Sequence, residues 1–329
     1  MIRWLFSLCI LCFGFTSATK GQAEIHSCPT NFDSYLPPRL TVGEIARTTP
    51  GTPLNLRPEP TTNLARLAVI PPGAALEVIA GPECAESFVW WQVEYGENSG
   101  WVAEGTVTNN EPDYFIEPRG KLVIQVDENG IERRYIEDRA GNIELEGCSR
   151  PPDDYTQVQK GYATLNQRTI FMLEQAQRLY HEAGGKKVNF ISAITQGSYT
   201  GGVLVASFGT HDGGGAVDIS VRNPADFSVM EDEIEPMIYA LRVAGFAAWL
   251  RDTGDLYADS PIHIHAIAIG DAELHAAALE QVEGEFGYLH GYNALPEEWG
   301  GPALDQHGGP IICNWMRELG YDDWSDITD

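Results

Sequence analysis

Four side chains in two short segments carry the chemistry that this sequence offers. Gly209-Thr210-His211-Asp212-Gly213-Gly214-Gly215-Ala216-Val217-Asp218 holds a histidine and an aspartate with six residues between them, and Ser260-Pro261-Ile262-His263-Ile264-His265 holds two histidines. Imidazole nitrogens and carboxylate oxygens are donors that zinc accepts, and three protein donors leave the fourth tetrahedral position to water. Zinc brings the pKa of such a water to about 7, which makes a nucleophile at neutral pH. The two segments thus offer three ligands and a spare histidine, and the chemistry expected of them is zinc-dependent hydrolysis.

The elements that position these groups follow from periodicity. Side chains alternate faces along a strand, so Asp218 and Ser220 share one face of Ala216–Val221 while Val217, Ile219 and Val221 share the other. His263 and His265 likewise share a face opposite Ile262, Ile264 and Ala266, with origins about 7 Å apart. One of them can bind metal while the other reaches the water. Gly213-Gly214-Gly215 suits a sharp backbone excursion and leaves space for a substrate backbone. Around the segments, helical spacing is expected over Thr164–His181, Ile234–Ala244 and Ala272–Val282, and in a last helix from about Pro310. Val188–Ile194 reads as a strand.

The N-terminal half has a different rhythm. Leu54–Arg57, Leu67–Ile70, Ala75–Ile79, Trp90–Tyr95 and Gly100–Val102 are short strand-like runs separated by Pro and Gly turns, the pattern of a small β-barrel or sandwich. Lys121–Val126 and Ile131–Ile136, with Asp127-Glu128-Asn129-Gly130 between them, read as a hairpin, and Arg150-Pro151-Pro152 as a linker. The divisions expected are a signal peptide at 1–23, a β domain at 24–110, a hairpin-bearing connection at 111–155 and a second domain at 156–329.

Residues 4–15 are almost wholly apolar, too short for a spanning helix and suited to a signal-peptide core. No other stretch suggests a transmembrane segment. Beyond this leader remain Cys28, Cys84, Cys148 and Cys313, an even number without metal-type pairing, so two disulfides are expected. Sequential domains favour Cys28 with Cys84 and Cys148 with Cys313. The formal charge of −26 argues against nucleic acid as a partner. His26, His181, His275, His290 and His307 lack a partner at ligand spacing and are read as structural.

Two resemblances add to this reading. Leu54-Asn55-Leu56-Arg57-x-Glu59-Pro60, Pro71-Pro72-Gly73, Trp90-Trp91-Gln92-Val93 and Ser99-Gly100-Trp101-Val102-Ala103 together resemble the bacterial SH3-like domain. That resemblance implies a module that holds an enzyme on cell wall or on another protein, with Trp91 or Trp101 as contact residues or, more simply, as core. His211-x6-Asp218 followed by His263-x-His265 resembles the zinc D-alanyl-D-alanine carboxypeptidase and hedgehog-type metallopeptidase superfamily, which includes lysostaphin-like endopeptidases. It implies His211, Asp218 and His265 as zinc ligands, and His263 as the catalytic histidine that activates water or stabilises the transition state.

The chain departs from that pattern in two places. Many members carry a Glu shortly before the last ligand, where this chain has His263, with Asp259 farther upstream. Many also carry an Arg in a Ser-x-Tyr-Arg segment, where this chain reads Ser198-Tyr199-Thr200 after Gln196-Gly197. Arg251 or Arg168 is the candidate substitute, and Gln196 and Ser198 are candidate hydrogen-bonding residues for substrate.

The fold class expected is therefore two-domain, a small all-β SH3-like barrel followed by an α+β zinc-peptidase-like domain with a central antiparallel sheet. The function implied is a secreted zinc peptidase or amidase, of carboxypeptidase or endopeptidase type, acting on peptide bonds of peptidoglycan. The alternative is an inactive zinc-bearing protein that recognises cell wall or a protein partner.

Overall fold

The computed structural model describes Cys28 and residues 35–49, 53–108, 111–126, 132–201, 209–296 and 300–325. The leader at 1–23, His26 and the turn at 127–130 lie outside these residues. In chain order the N-terminal part forms β1 (Glu44–Thr48), β2 (Leu54–Leu56), β3 (Ala68–Ile70), β4 (Ala75–Ala85), β5 (Phe88–Tyr95) and β6 (Asn98–Ala103). These are followed by β7 (Gly105–Thr108), β8 (Glu111–Tyr114), β9 (Ile116–Val126), β10 (Glu132–Glu137) and β11 (Ile143–Leu145). The strand-like runs of the N-terminal half are all present as strands.

Seven of these strands make one sheet in the order β11-β10-β9-β1-β4-β5-β6, and β2-β3 and β7-β8 form separate pairs. The two strands of the expected hairpin pair antiparallel, with Val126 opposite Glu132. The other half of β9 pairs with β1, so the stretch read as a connection extends the first sheet outward. No pairing between β11 and β6 closes this sheet among the described residues. Ala46, Leu56, Ile70, Val78 and Val93 are completely buried in its core. Trp91 lies in that core too, its Nε1 donating to the buried carboxylate of Glu104 at 2.7 Å. Its burial removes it as a surface contact; Trp101 remains half-buried.

The C-terminal part comprises β12 (Gln157–Lys160), β13 (Ala163–Asn166), α1 (Gln167–Glu182), β14 (Ile194–Gln196), β15 (Ala216–Ser220) and α2 (Glu231–Val243). It continues with β16 (Phe246–Arg251), β17 (His263–Ala268), α3 (Ala276–Glu283) and α4 (Asn314–Glu318). Helix α1 starts where the Asn166 side chain accepts from Thr169 N at 2.8 Å, a cap worth about 1 kcal/mol. Helix α2 opens with Glu231, Asp232 and Glu233, whose charges suit the positive end of the helix dipole. It stops at Gly245, whose φ is +107° and where a Cβ would stand 2.8 Å from Trp315.

Four strands form the second sheet, in the order β14-β15-β17-β16, with every neighbouring pair antiparallel. One face carries Val217, Ile219, Ile264 and Ala266 into a core with α1 and α2. The other carries Ala216, Trp249 and Ile267 against α3, the turn at Tyr288–His290 and the segment around α4. Burial of a side chain such as Ile264 contributes about 1.5–3 kcal/mol, and β17 is buried on both faces along its whole length. Helices packed on an antiparallel sheet make this part α+β.

Three sequence expectations shift. Residues 188–193 form turns and not a strand, because the Asn189 side chain accepts from Ser192 N and the Asn189 carbonyl from Ala193 N, each at 2.9 Å. Helix α3 starts later than Ala272, because Asp271 holds Glu273 N in a turn and the His275 ring caps Ala277 N. The last helix starts at Asn314 and spans only five residues.

Disulfides join Cys28 to Cys84 and Cys148 to Cys313. The second spans 165 residues and ties the start of the α+β part to the C-terminal segment that covers its sheet. No helix among the described residues is long and apolar enough to cross a membrane.

Candidate metal centre

Strand register brings the two sequence segments together. On β15 and β17, Asp218 stands opposite His265 and Ser220 opposite His263. Gln196 of β14 faces Asp218 from one side, while Trp249 and Arg251 of β16 face His265 and His263 from the other. Gln196, Asp218, His265 and Trp249 thus form one row across the sheet, and Ser220, His263 and Arg251 the next row on the same face.

His211 comes from the loop before β15. Asp218 Oδ1 lies 3.3 Å from His211 Nε2, 2.7 Å from His265 Nδ1 and 3.7 Å from His263 Nε2. The far nitrogens of the rings are also engaged. Nδ1 of His211 donates to the Gly197 carbonyl at 2.9 Å, and Nδ1 of His263 to the Pro261 carbonyl at 2.8 Å. Nε2 of His265 lies 3.1 Å from Gln281 Oε1, and the indole of Trp249 stacks on the His265 ring with a 14° interplanar angle. Every inward nitrogen therefore faces the same carboxylate oxygen.

These residues fit a zinc ion. Donors at about 2.0–2.1 Å from a tetrahedral ion lie about 3.4 Å from one another, and the His211 Nε2 to Asp218 Oδ1 separation of 3.3 Å matches that edge. The 2.7 Å from His265 Nδ1 to Asp218 Oδ1 is a hydrogen bond that must widen when an ion replaces its proton. The donor atoms of His211, Asp218 and His265 all lie within 4.8 Å of each other. Glu144, Cys148 and Cys313 also cluster, but the two sulfurs are bonded to each other and are not thiolate donors.

Electrostatics divides the cluster unevenly. Burial by itself raises the Asp218 carboxyl, yet the charge and hydrogen bonds of His211 and then His265 hold it well below the usual carboxylate range. Burial also pulls His211 down, and the Asp218 charge outweighs it, leaving that ring above its ordinary value. Burial brings His265 down to about 4 in spite of Asp218. His211 is thus the proton-carrying partner of Asp218, and zinc must displace that proton. Because its pKa is raised, competition begins above the ordinary histidine value of about 6.5 and strengthens as pH falls. Apparent zinc affinity is expected to drop about tenfold per pH unit below that point, as one displaced proton requires. Chelator competition between pH 8 and pH 5 checks this; an affinity flat across that range contradicts it.

The loop that delivers His211 is held by backbone. Thr200 N donates to the His211 carbonyl at 2.9 Å, Tyr199 N to the Gly213 carbonyl at 3.0 Å and Gly214 N to the Glu273 carbonyl at 2.7 Å. A Cβ on Gly213 would stand 2.2 Å from that same Glu273 oxygen. The glycines make room for residues 273–275, which fill the space expected for a substrate backbone. Tyr199 ties the loop down further, donating to Glu273 while accepting from Asn166 at 3.2 Å.

A cavity of about 820 Å3 opens beside the cluster, walled mainly by apolar side chains such as Met230, Leu256 and Leu295. Gln196, Arg251, His263 and Gln281 line it together with the three candidate ligands. Asp218 is the only carboxylate residue among the described residues on its wall. Arg251 is buried, with Nη1 donating to the Asn293 carbonyl at 2.7 Å, and its Nη2 and Gln196 Nε2 have no hydrogen-bond partner among the described residues. Ser198 is not on this wall: its hydroxyl is buried and donates to the Ala216 carbonyl at 2.8 Å. Arg168 is also elsewhere, tying Pro151, Asp153 and Ile269 together.

His181, His275, His290 and His307 stand outside the cluster, engaged with Gly185, Ala277, Trp324 and Glu235 in turn. Sequence reasoning missed Gln281, Trp249 and the carbonyls of Gly197 and Pro261. A cross-strand pairing marks Trp249 only once the register is known, and Gln281 reaches His265 from a separate helix. No protein-family model matches the chain, and no curated protein is significantly similar to it.

Proposed function

We propose that this chain is a zinc-dependent hydrolase of peptide or amide bonds. The observation that carries the reading is the convergence of His211 Nε2, Asp218 Oδ1 and His265 Nδ1 on one cavity wall beside a further histidine. His211, Asp218 and His265 would hold the metal. When bound, zinc supplies Lewis-acid polarisation of a scissile carbonyl and lowers the pKa of water.

The protein's own part falls to His263. Its Nδ1 is fixed as donor to the Pro261 carbonyl, so Nε2 is the atom that accepts and returns a proton at the cavity. Asp218, the one carboxylate among the described residues on the wall, is already paired with His211 and His265 and is not free for that role. Arg251, paired with His263 across the sheet, is a buried positive charge on the same cavity wall, suited to the negative charge that would develop on cleavage. Gln196 offers an unsatisfied amide on the same wall.

Peptidoglycan peptides are the proposed substrate, on the resemblance of the His211, Asp218, His263 and His265 spacing to wall-cleaving zinc peptidases. The β-rich N-terminal part is proposed as a separate SH3-like targeting domain. Two disulfides suit an oxidising compartment, which supports secretion. Incubation with purified walls, followed by chromatography of the released fragments, tests the reading. Release is expected with zinc and not with chelator. A zinc-loaded protein that binds walls and releases nothing from any wall type would instead be a binding protein.

A further inference from the structure

All three rings of the cluster are oriented alike. Each turns one nitrogen toward Asp218 and the other toward a carbonyl-type oxygen: Gly197 O for His211, Pro261 O for His263 and Gln281 Oε1 for His265. A neutral imidazole has one N–H and one bare nitrogen, and the partner of the N–H decides which nitrogen stays bare. For His211 and His263 that partner is main chain, which no substitution removes. For His265 it is a side chain, from a helix that supplies no candidate ligand.

For His265 to serve as a ligand its proton must leave Nδ1. Its Nδ1 lies 2.7 Å from Asp218 Oδ1, so a proton on Nδ1 would make a strong charge-assisted bond and leave no lone pair there for a metal. Zinc binding moves the proton to Nε2, and Gln281 Oε1 stands 3.1 Å from Nε2 to accept it. Stacked on Trp249, the ring keeps both nitrogens in these directions. The Gln281 amide itself is held at the cavity wall by α3, whose residues Ala278 and Val282 are buried in the core.

We infer that Gln281 is a positioning residue that accepts the Nε2–H of His265 when zinc takes Nδ1, and so favours the metal-binding tautomer. The inference rests on the metal-centre reading. Outer hydrogen-bond partners of metal-binding histidines are typically worth about 10–100-fold in metal affinity.

Two substitutions separate the acceptor from the shape. Gln281→Met keeps an unbranched chain of similar length without the acceptor, and Gln281→Glu keeps the acceptor. Zinc affinity by chelator competition is expected to fall about 10–100-fold in the Met variant and to stay at or above the wild-type value in the Glu variant. Nitrogen-15 NMR of the metal-free proteins adds a readout independent of zinc. It is expected to show a larger Nε2-protonated fraction of His265 in the wild type and in Gln281→Glu than in Gln281→Met. Wild-type affinity and an unchanged tautomer in Gln281→Met overturn the inference. If the Met variant does not fold, a Glu variant with weakened zinc binding or a smaller Nε2-protonated fraction than the wild type overturns it as well. A wild-type protein that binds no zinc defeats the metal-centre reading, and the tautomer comparison then still decides the role of Gln281.

Discussion

Asp218→Ala is expected to abolish zinc binding and hydrolysis together while the protein stays folded. Oδ1 is the point on which the three histidines converge, at 2.7, 3.3 and 3.7 Å, and no other carboxylate of the described residues lines the cavity to replace it. The loss of zinc affinity should exceed the roughly 10–100-fold typical of an outer partner. The fold should survive because the Asp218 side chain lies on the face of β15 opposite Val217 and Ile219, which sit in the α1 and α2 core. Leaving the nearby ring nitrogens unpaired costs about 1–3 kcal/mol, within the 5–15 kcal/mol typical of a domain. Metal analysis alongside a thermal melt reads both effects, and an Asp218→Ala protein that keeps wild-type zinc affinity would contradict the assignment.

His263→Ala should behave differently. His263 is one register step from the ligand row, its Nε2 is the farthest of the three rings from Asp218, and its pairing partner is Ser220 and not Asp218. Zinc content is therefore expected to remain near that of the wild type, while turnover falls by about 10²–10⁴, the usual worth of a positioned acid-base group. His265→Ala is the control, since it should lose both. Equal loss of zinc in the two variants would reject the division between a ligand and a proton carrier.

Local periodicity made part of this site legible. Alternation along Ala216–Ser220 and His263–Ala268 placed Asp218, His263 and His265 away from Val217, Ile219 and Ile264, and the structure keeps that separation. The nature of the opposite face was less visible. Trp249 and Ile267 show that it is covered by a second core, formed with Tyr288, Leu289 and Trp315 from far along the chain. Alternation assigns a face but does not say what covers it. Register was also hidden: nothing in either strand alone says that Asp218 meets His265 and not His263, a choice set by hydrogen-bonded pairing along the strands.

The N-terminal part shows the same limit. Pro and Gly punctuation located β2 to β6 well, because turn residues act locally. Closure is a nonlocal property. The hairpin of β9 and β10 continues the sheet beyond β1, and the edges β11 and β6 remain unjoined among the described residues. Gly213-Gly214-Gly215 was readable as an unusual turn but not as packing space for residues 273–275, since that neighbour lies some sixty positions downstream.

The most direct test of the metal centre is the zinc stoichiometry of the purified, zinc-equilibrated protein, with the ion located by anomalous X-ray scattering. One zinc per chain is expected, ligated by His211, Asp218 and His265 with His263 outside the ligand set. A correctly folded protein that takes up no zinc, or that binds it through other residues, would contradict the account.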